Sequence, residues 1–202
     1  MSVDHSHPPE SDPPPNPSGD PGPYTQEIRH SQVSARVPEK VGRGVFSTGA
    51  LVLQGPHEFV IDFVVRMANP HQVAARVVLP ISLLPSFLAA LRENLNNYQS
   101  KFGPPPALPP PPPGVTPPPI DEIYDQLKLP DDMLSGTYAN AVMIAHSPSE
   151  FCFDFITNFY PRSAVSSRVY LSAPQVPGLL NTLARSFQQY QEKMRGSQPP
   201  RG

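Results

Sequence analysis

HEFVIDF, residues 57–63, and SEFCFDF, residues 149–155, decide how this chain folds. Each reads as a buried strand, an apolar run into which acids are set. Each also seats an acid, Asp62 or Asp154, among aromatic and aliphatic neighbours. A carboxylate in that setting is costly without a partner, so the pattern predicts a cation close by. Its recurrence predicts a repeated folding unit.

The repeat extends well beyond these stretches. Residues 38–102 align with 130–194 at a constant offset of 92, without a gap. Pro38/Pro130, Gly44/Gly136, Pro56/Pro148, Arg76/Arg168, Leu79/Leu171, Leu91/Leu183 and Tyr98/Tyr190 are among the identities. In each copy the apolar period switches from two to 3.6. Residues 48–54, 58–67 and 73–79 read as three strands, and Leu84, Leu88, Leu91, Leu95, Tyr98 and Phe102 form a helical stripe repeated from Val176 to Met194. Ser82 is the expected N-cap, with Pro85 in the first turn.

A hairpin centred on Asn69 sets residue i opposite 138 minus i, and cross-strand partners share a sheet face. One face then pairs Phe59 with Leu79, Ile61 with Val77, Phe63 with Ala75 and Val65 with Val73; it should meet the helix. The other face pairs Asp62 with Arg76, and in the second copy Asp154 with Arg168. An even-length first turn puts Leu51 beside Val60 on that same face, and Met143 beside Cys152. The expected role of the four charged residues is structural, as register-fixing ion pairs, since buried pairs add little net stability after desolvation.

A copy of about 65 residues buries only about 60 % of its unfolded surface, and a three-stranded sheet has open edges. The fold class expected is therefore α+β: two tandem β-β-β-α units, each an antiparallel sheet backed by its own long C-terminal helix, packed as a pseudo-twofold intramolecular dimer. The second sheet faces, carrying Asp/Arg, or the strand edges should form the joint. Of the 202 residues 31 are proline, crowded into the first 23 residues and into 103–119. The expected division is a disordered acidic tail (1–23), a first unit (24–103), a polyproline linker (104–120), a second unit (121–196) and a disordered tail (197–202). A short helix is expected within 121–129.

The stretches GTYANAVMIAHSPSEFCFDFITNFYP and SSRVYLSAPQVPGLLNTLARSFQQYQEK resemble the bacterial family known as domain of unknown function 3467. The resemblance rests on Tyr138-Ala139-Asn140, Glu150-Phe151, Asp154-Phe155, Ser167-Arg168-Val169, Pro174 and Tyr190. In the first unit Phe46, Ser47 and Thr48 replace the Tyr-Ala-Asn triplet, which confines any role of Asn140 to the second. The resemblance implies a bacterial cytosolic protein with no known activity, and homodimers among single-unit members.

Function classes narrow by exclusion. No basic segment leads into an apolar run, and no run approaches the ~20 residues of a membrane helix, so a soluble cytoplasmic protein without membrane contact is expected. Cys152 is the only cysteine, which leaves no internal disulfide. Glu58 and Asp62 lie ~13 Å apart on one strand face, too far for a glycosidase pair. The six histidines lack metal-ligand spacing, and no phosphate loop or nucleophile elbow occurs. The chain is read as a non-enzyme without catalytic, cofactor or metal sites, binding a protein partner as a scaffold or adaptor. The alternative is a single-stranded nucleic-acid binder using the sheet surface, with Tyr160, Arg162, Arg168, Tyr170 and Arg185 as contacts.

Overall fold

The computed structural model describes residues 35–110, 114, 118–159 and 161–196, and the expected N-terminal and C-terminal tails lie outside them. In chain order the elements are α1 (Glu39–Gly42), β1 (Val45–Ser47), β2 (Gly49–Gln54), β3 (Glu58–Val65), β4 (His71–Pro80) and α2 (Leu84–Phe102). Then come α3 (Ile120–Asp125), β5 (Leu127–Lys128), β6 (Thr137–Tyr138), β7 (Ala141–His146), β8 (Glu150–Thr157), β9 (Ala164–Ser172) and α4 (Val176–Gly196). β2 and β7, and β3 and β8, have bounds displaced by 92 residues, so the two halves repeat element by element.

The hairpins follow the register set by the side-chain pattern. Phe59 lies opposite Leu79, Ile61 opposite Val77 and Asp62 opposite Arg76; Phe151 opposite Leu171, Phe153 opposite Val169 and Asp154 opposite Arg168. Two details differ from expectation. A bulge after Phe63 leaves Ala74 without a counterpart, so Val73 faces Val64 rather than Val65; the second half repeats it after Phe155 at Ser166. The first turn is centred one residue later than expected, placing Leu51 opposite Asp62 and Met143 opposite Asp154, still on the Asp/Arg face. α2 has no side-chain cap: a 3-10 turn at Ile81–Leu83 absorbs Ser82 and leads directly into the helix, with proline in its first turn.

The halves interpenetrate more than two packed units would. β1 leaves its own half to pair in parallel with β9, Val45 opposite Val169 and Phe46 opposite Tyr170. β6 reciprocates on β4, Thr137 opposite Val77 and Tyr138 opposite Val78. Each pairing is the other displaced by 92, so the exchange has twofold character. One sheet runs β1-β9-β8-β7; the other runs β2-β3-β4-β5, with β6 also on β4. Each chain crossing from one sheet to the other follows a glycine with positive φ, Gly44 (65°) and Gly136 (67°). A Cβ on Gly44 would sit 2.8 Å from Arg168 Cγ and 2.6 Å from the Tyr170 ring; one on Gly136 would sit 2.9 Å from Arg76 Cγ. Only glycine lets the exchanged segment pass so close over the arginine stem at that backbone angle.

The helices are exchanged too, which corrects the expectation that each covers its own sheet. α2 sets Phe87 against Phe153 and Phe155, and Tyr98 against Phe151 and His146. α4 returns Tyr190 to Phe59. Tyr98 also donates its hydroxyl to the carbonyl of Pro148, 2.7 Å away. The apolar faces of the two sheets, not the Asp/Arg faces, meet at the centre, where the Phe63 ring lies 6.3 Å from Phe153 and 5.7 Å from Phe155. One core results, drawing fully buried Phe59, Ile61, Phe63, Phe151, Phe153 and Phe155 from both halves. Each such side chain contributes roughly 1.5–3 kcal/mol when removed from water, and a half alone would leave its share exposed. The apolar face is the larger hydrophobic surface, so it claims the interior and turns the ion pairs outward.

Candidate functional site

The two ion pairs sit on the outward sheet faces, beneath the exchanged segments. Arg76 forks onto Asp62, Nε donating to Oδ1 at 2.8 Å and Nη2 to Oδ2 at 2.7 Å. Arg168 forks onto Asp154 at 2.6 and 2.8 Å. The third arm of each guanidinium reaches the opposite half: Arg76 Nη1 donates to Leu134 O and Arg168 Nη1 to Gly42 O, both at 3.2 Å. Leu134 is Gly42 displaced by 92. Each arginine thus joins its own strand hairpin to the segment arriving from the other half, through planar two-point geometry that a lysine could not supply. The carboxylate hydrogen bonds hold both guanidinium pKa values above their already high ordinary range.

The environments of the pairs differ. Asp62 is fully buried and also accepts a hydrogen bond from the Tyr124 hydroxyl of α3. Burial and that carboxylate push the Tyr124 pKa upward. Asp154 is 16 % exposed. Beside it stands Cys152, whose thiol is pushed up by burial and by the Asp154 charge.

Across the outer face of the β1-β9-β8-β7 sheet, Phe46, Tyr170, Cys152 and Ala145 occupy one lateral row. Phe46 is 46 % exposed, and Met143, in the adjoining row beside Asp154, is 50 % exposed. The other sheet repeats the row as Tyr138, Val78, Val60 and Leu53, with the exposed Tyr138 ring stacked on Phe159 at 5.9 Å.

The proposed nucleic-acid contacts do not converge. Arg168 is engaged as above. Tyr170 lies on the outer sheet face, and Arg185 lies on α4 in a groove against Pro85, Leu88 and Arg92 of α2. That groove belongs to the helix layer, across the core from Tyr170. Arg162 is exposed in the loop before β9, and Tyr160 lies outside the described residues. Asn140 has a counterpart after all: its Oδ1 accepts from Asn158 N at 2.7 Å, and Thr48 Oγ1 accepts from Arg66 N at 2.9 Å, the same bond displaced by 92. A hydroxyl and an amide oxygen serve equally as acceptors there, which identity matching does not register. Among the described residues no cluster of three His, Cys, Asp or Glu side chains could hold a metal ion.

Where the halves meet on the pseudo-twofold axis, the structure opens a cleft of about 180 Å³. Its lining comes in couples separated by 92, among them Arg76/Arg168, Ala74/Ser166, Val45/Thr137 and Lys40/Asp132. No sequence pattern pointed to it, because the couples are brought together only by the strand exchange.

The twofold repetition of bulge, glycine, ion pair and exchanged strand has a counterpart among known families: the family described as "protein of unknown function (DUF3467)" matches residues 9–105 and again residues 112–196. The chain belongs to this family, in duplicate. Both DUF3467 copies therefore contribute to the one described core. No curated protein matches the chain. No described helix is long and apolar enough to cross a membrane.

Proposed function

We propose that this tandem DUF3467 protein is a non-catalytic binding module of the bacterial cytoplasm, acting as a monomer and docking a protein partner on the outer face of the β1-β9-β8-β7 sheet. The observation that supports this reading is the apolar row from Phe46 through Tyr170 and Cys152 to Ala145, with Met143 beside it. Neighbouring strands lie about 4.8 Å apart, so the row crosses roughly 14 Å of surface. An exposed apolar strip of that kind suits the aliphatic or aromatic anchors of a protein segment.

Protein suits this face better than nucleic acid. A single-stranded ligand needs free cations along its phosphates as well as stacking platforms. The candidate cations do not supply such a line: Arg168 gives three of its five donors to Asp154 and Gly42, and Arg185 lies in another layer.

Photo-crosslinking tests the proposal. A benzoylphenylalanine placed at Phe46 in cells should give a discrete protein adduct that disappears with Met143→Asp, while the same probe at Phe102 on α2 should not give it. Absence of any adduct at 46, or an identical adduct at both positions, overturns the reading. Salt-sensitive binding of single-stranded oligonucleotides would favour the alternative.

A further inference from the structure

The axial cleft holds hydrogen-bond donors that the fold does not use. A guanidinium has five N–H groups. Arg76 and Arg168 each direct two to a carboxylate and one to a carbonyl of the exchanged segment; Arg168 keeps two, and Arg76, which also meets the Tyr124 hydroxyl, keeps at least one. Lys40, Thr137 and Ser167 line the same cleft, and their side chains have no hydrogen bond to any described residue.

The strands are interrupted at this place. β4 pairs on its outer side at His71–Gln72 and again at Val77–Val78, and β9 resumes outer pairing at Val169 after the bridge at Ala164. The bulge residues Ala74 and Ser166 fall inside both gaps and line the cleft. Bulges are enriched beside functional sites because they re-aim a strand, and both of these lie in the stretch where the edge has no outer partner strand.

We propose that the axial cleft binds a phosphate group, as free phosphate or as a small phosphomonoester. Two guanidinium groups related by a twofold axis suit a tetrahedral oxyanion, which offers a pair of oxygens to each side, whereas a carboxylate offers both of its oxygens to one side. A water's share of liquid volume is about 30 Å³, so the cleft has room for phosphate plus a short substituent. Lys40 and Asp132 are equivalent by the repeat yet opposite in charge. Lys40 therefore adds to the anion side, and Asp132 faces the substituent, favouring one that carries an amino group. Asp62 and Asp154 neutralise much of the arginine charge, so binding belongs in the millimolar rather than the nanomolar range.

Thermal unfolding of the full chain in inorganic phosphate, against chloride at matched ionic strength, tests this. Saturating phosphate should raise Tm by about 2–4 °C. Lys40→Glu should abolish the rise while leaving the chloride Tm within about 2 °C of the parent, since Lys40 is exposed and takes no part in the ion pairs; Ser167→Ala, which adds no charge beside Phe155, should reduce the rise. Phosphorus NMR should show phosphate line broadening with the parent and not with Lys40→Glu. A Tm rise equal in chloride, or retained in Lys40→Glu, overturns the site. Phosphoethanolamine should bind more tightly than phosphate; equal or weaker binding overturns the role given to Asp132.

Discussion

The two halves share one backbone plan and differ in how they protect the same ion pair. In the first half Asp62 is sealed by the Tyr124 hydroxyl, and its neighbours on the outer face are Leu51, Val60 and Val78. In the second, Asp154 keeps partial access to solvent, with Met143, Cys152 and Tyr170 around it. Duplication thus preserved the geometry that joins the halves and left the surface over it free to diverge. The first outer face is closed at its charge by the chain's own α3, and the second carries the exposed apolar row proposed to receive a partner.

The largest test of this comparison removes one half altogether. Residues 24–103 or 121–196 alone lose an edge strand and the covering helix, so neither should give a cooperative monomeric unfolding transition. Mixing the two should restore one, read by circular dichroism and sedimentation; a stably folded monomeric half would contradict the exchange.

Next come the acids. Asp62→Ala strands a mostly buried guanidinium and should cost about 3–5 kcal/mol, whereas Asp154→Ala should cost roughly half as much because water can reach Arg168. Urea unfolding measures both. In a Tyr124→Phe background the gap between the two should narrow, since the hydroxyl bond to Asp62 is already gone; equal costs in the parent would mean that the Tyr124 seal has no energetic effect.

The crossing glycines should separate by less. Gly44→Ala and Gly136→Ala each force alanine into positive φ at about 1–3 kcal/mol. The Gly44 variant should suffer more, because its Cβ would also lie 3.1 Å from the Arg168 carbonyl oxygen, while the three atoms nearest a Gly136 Cβ all belong to side chains, which yield more easily. The reverse order would place the tighter crossing in the second half.

The smallest effect concerns Cys152, where the first half has Val60. Burial and the Asp154 charge raise the thiol pKa, which lowers the thiolate fraction at pH 8. Alkylation should run at least about tenfold slower than for an unfolded thiol. Asp154→Asn removes the negative charge, lowers the pKa and should speed the reaction; no change would assign the shift to burial alone.

Much of this was legible because it is local. The alternation around Asp62 and Asp154 fixed strands, faces and cross-strand partners, for a slip of one residue would turn Phe59 and Ile61 to solvent. The bulges at Ala74 and Ser166 escaped, since neither residue has side-chain chemistry that demands one. The strand exchange escaped for a different reason. Gly44 and Gly136 announce turns, but where a three-residue strand lands depends on an edge more than a hundred residues away in the chain. The axial cleft and its donors followed from that landing, as did the third bond of each arginine.

From its sequence alone this protein is fixed as a duplicated α+β unit with an acid and an arginine paired in each copy, because period-two patterning and charge burial act between near neighbours and mean the same in any context. Which helix covers which sheet, which segment crosses over, and what the two arginines line together were settled in three dimensions. Those choices depend on hiding two apolar faces at once, and only both halves together provide enough surface to do it.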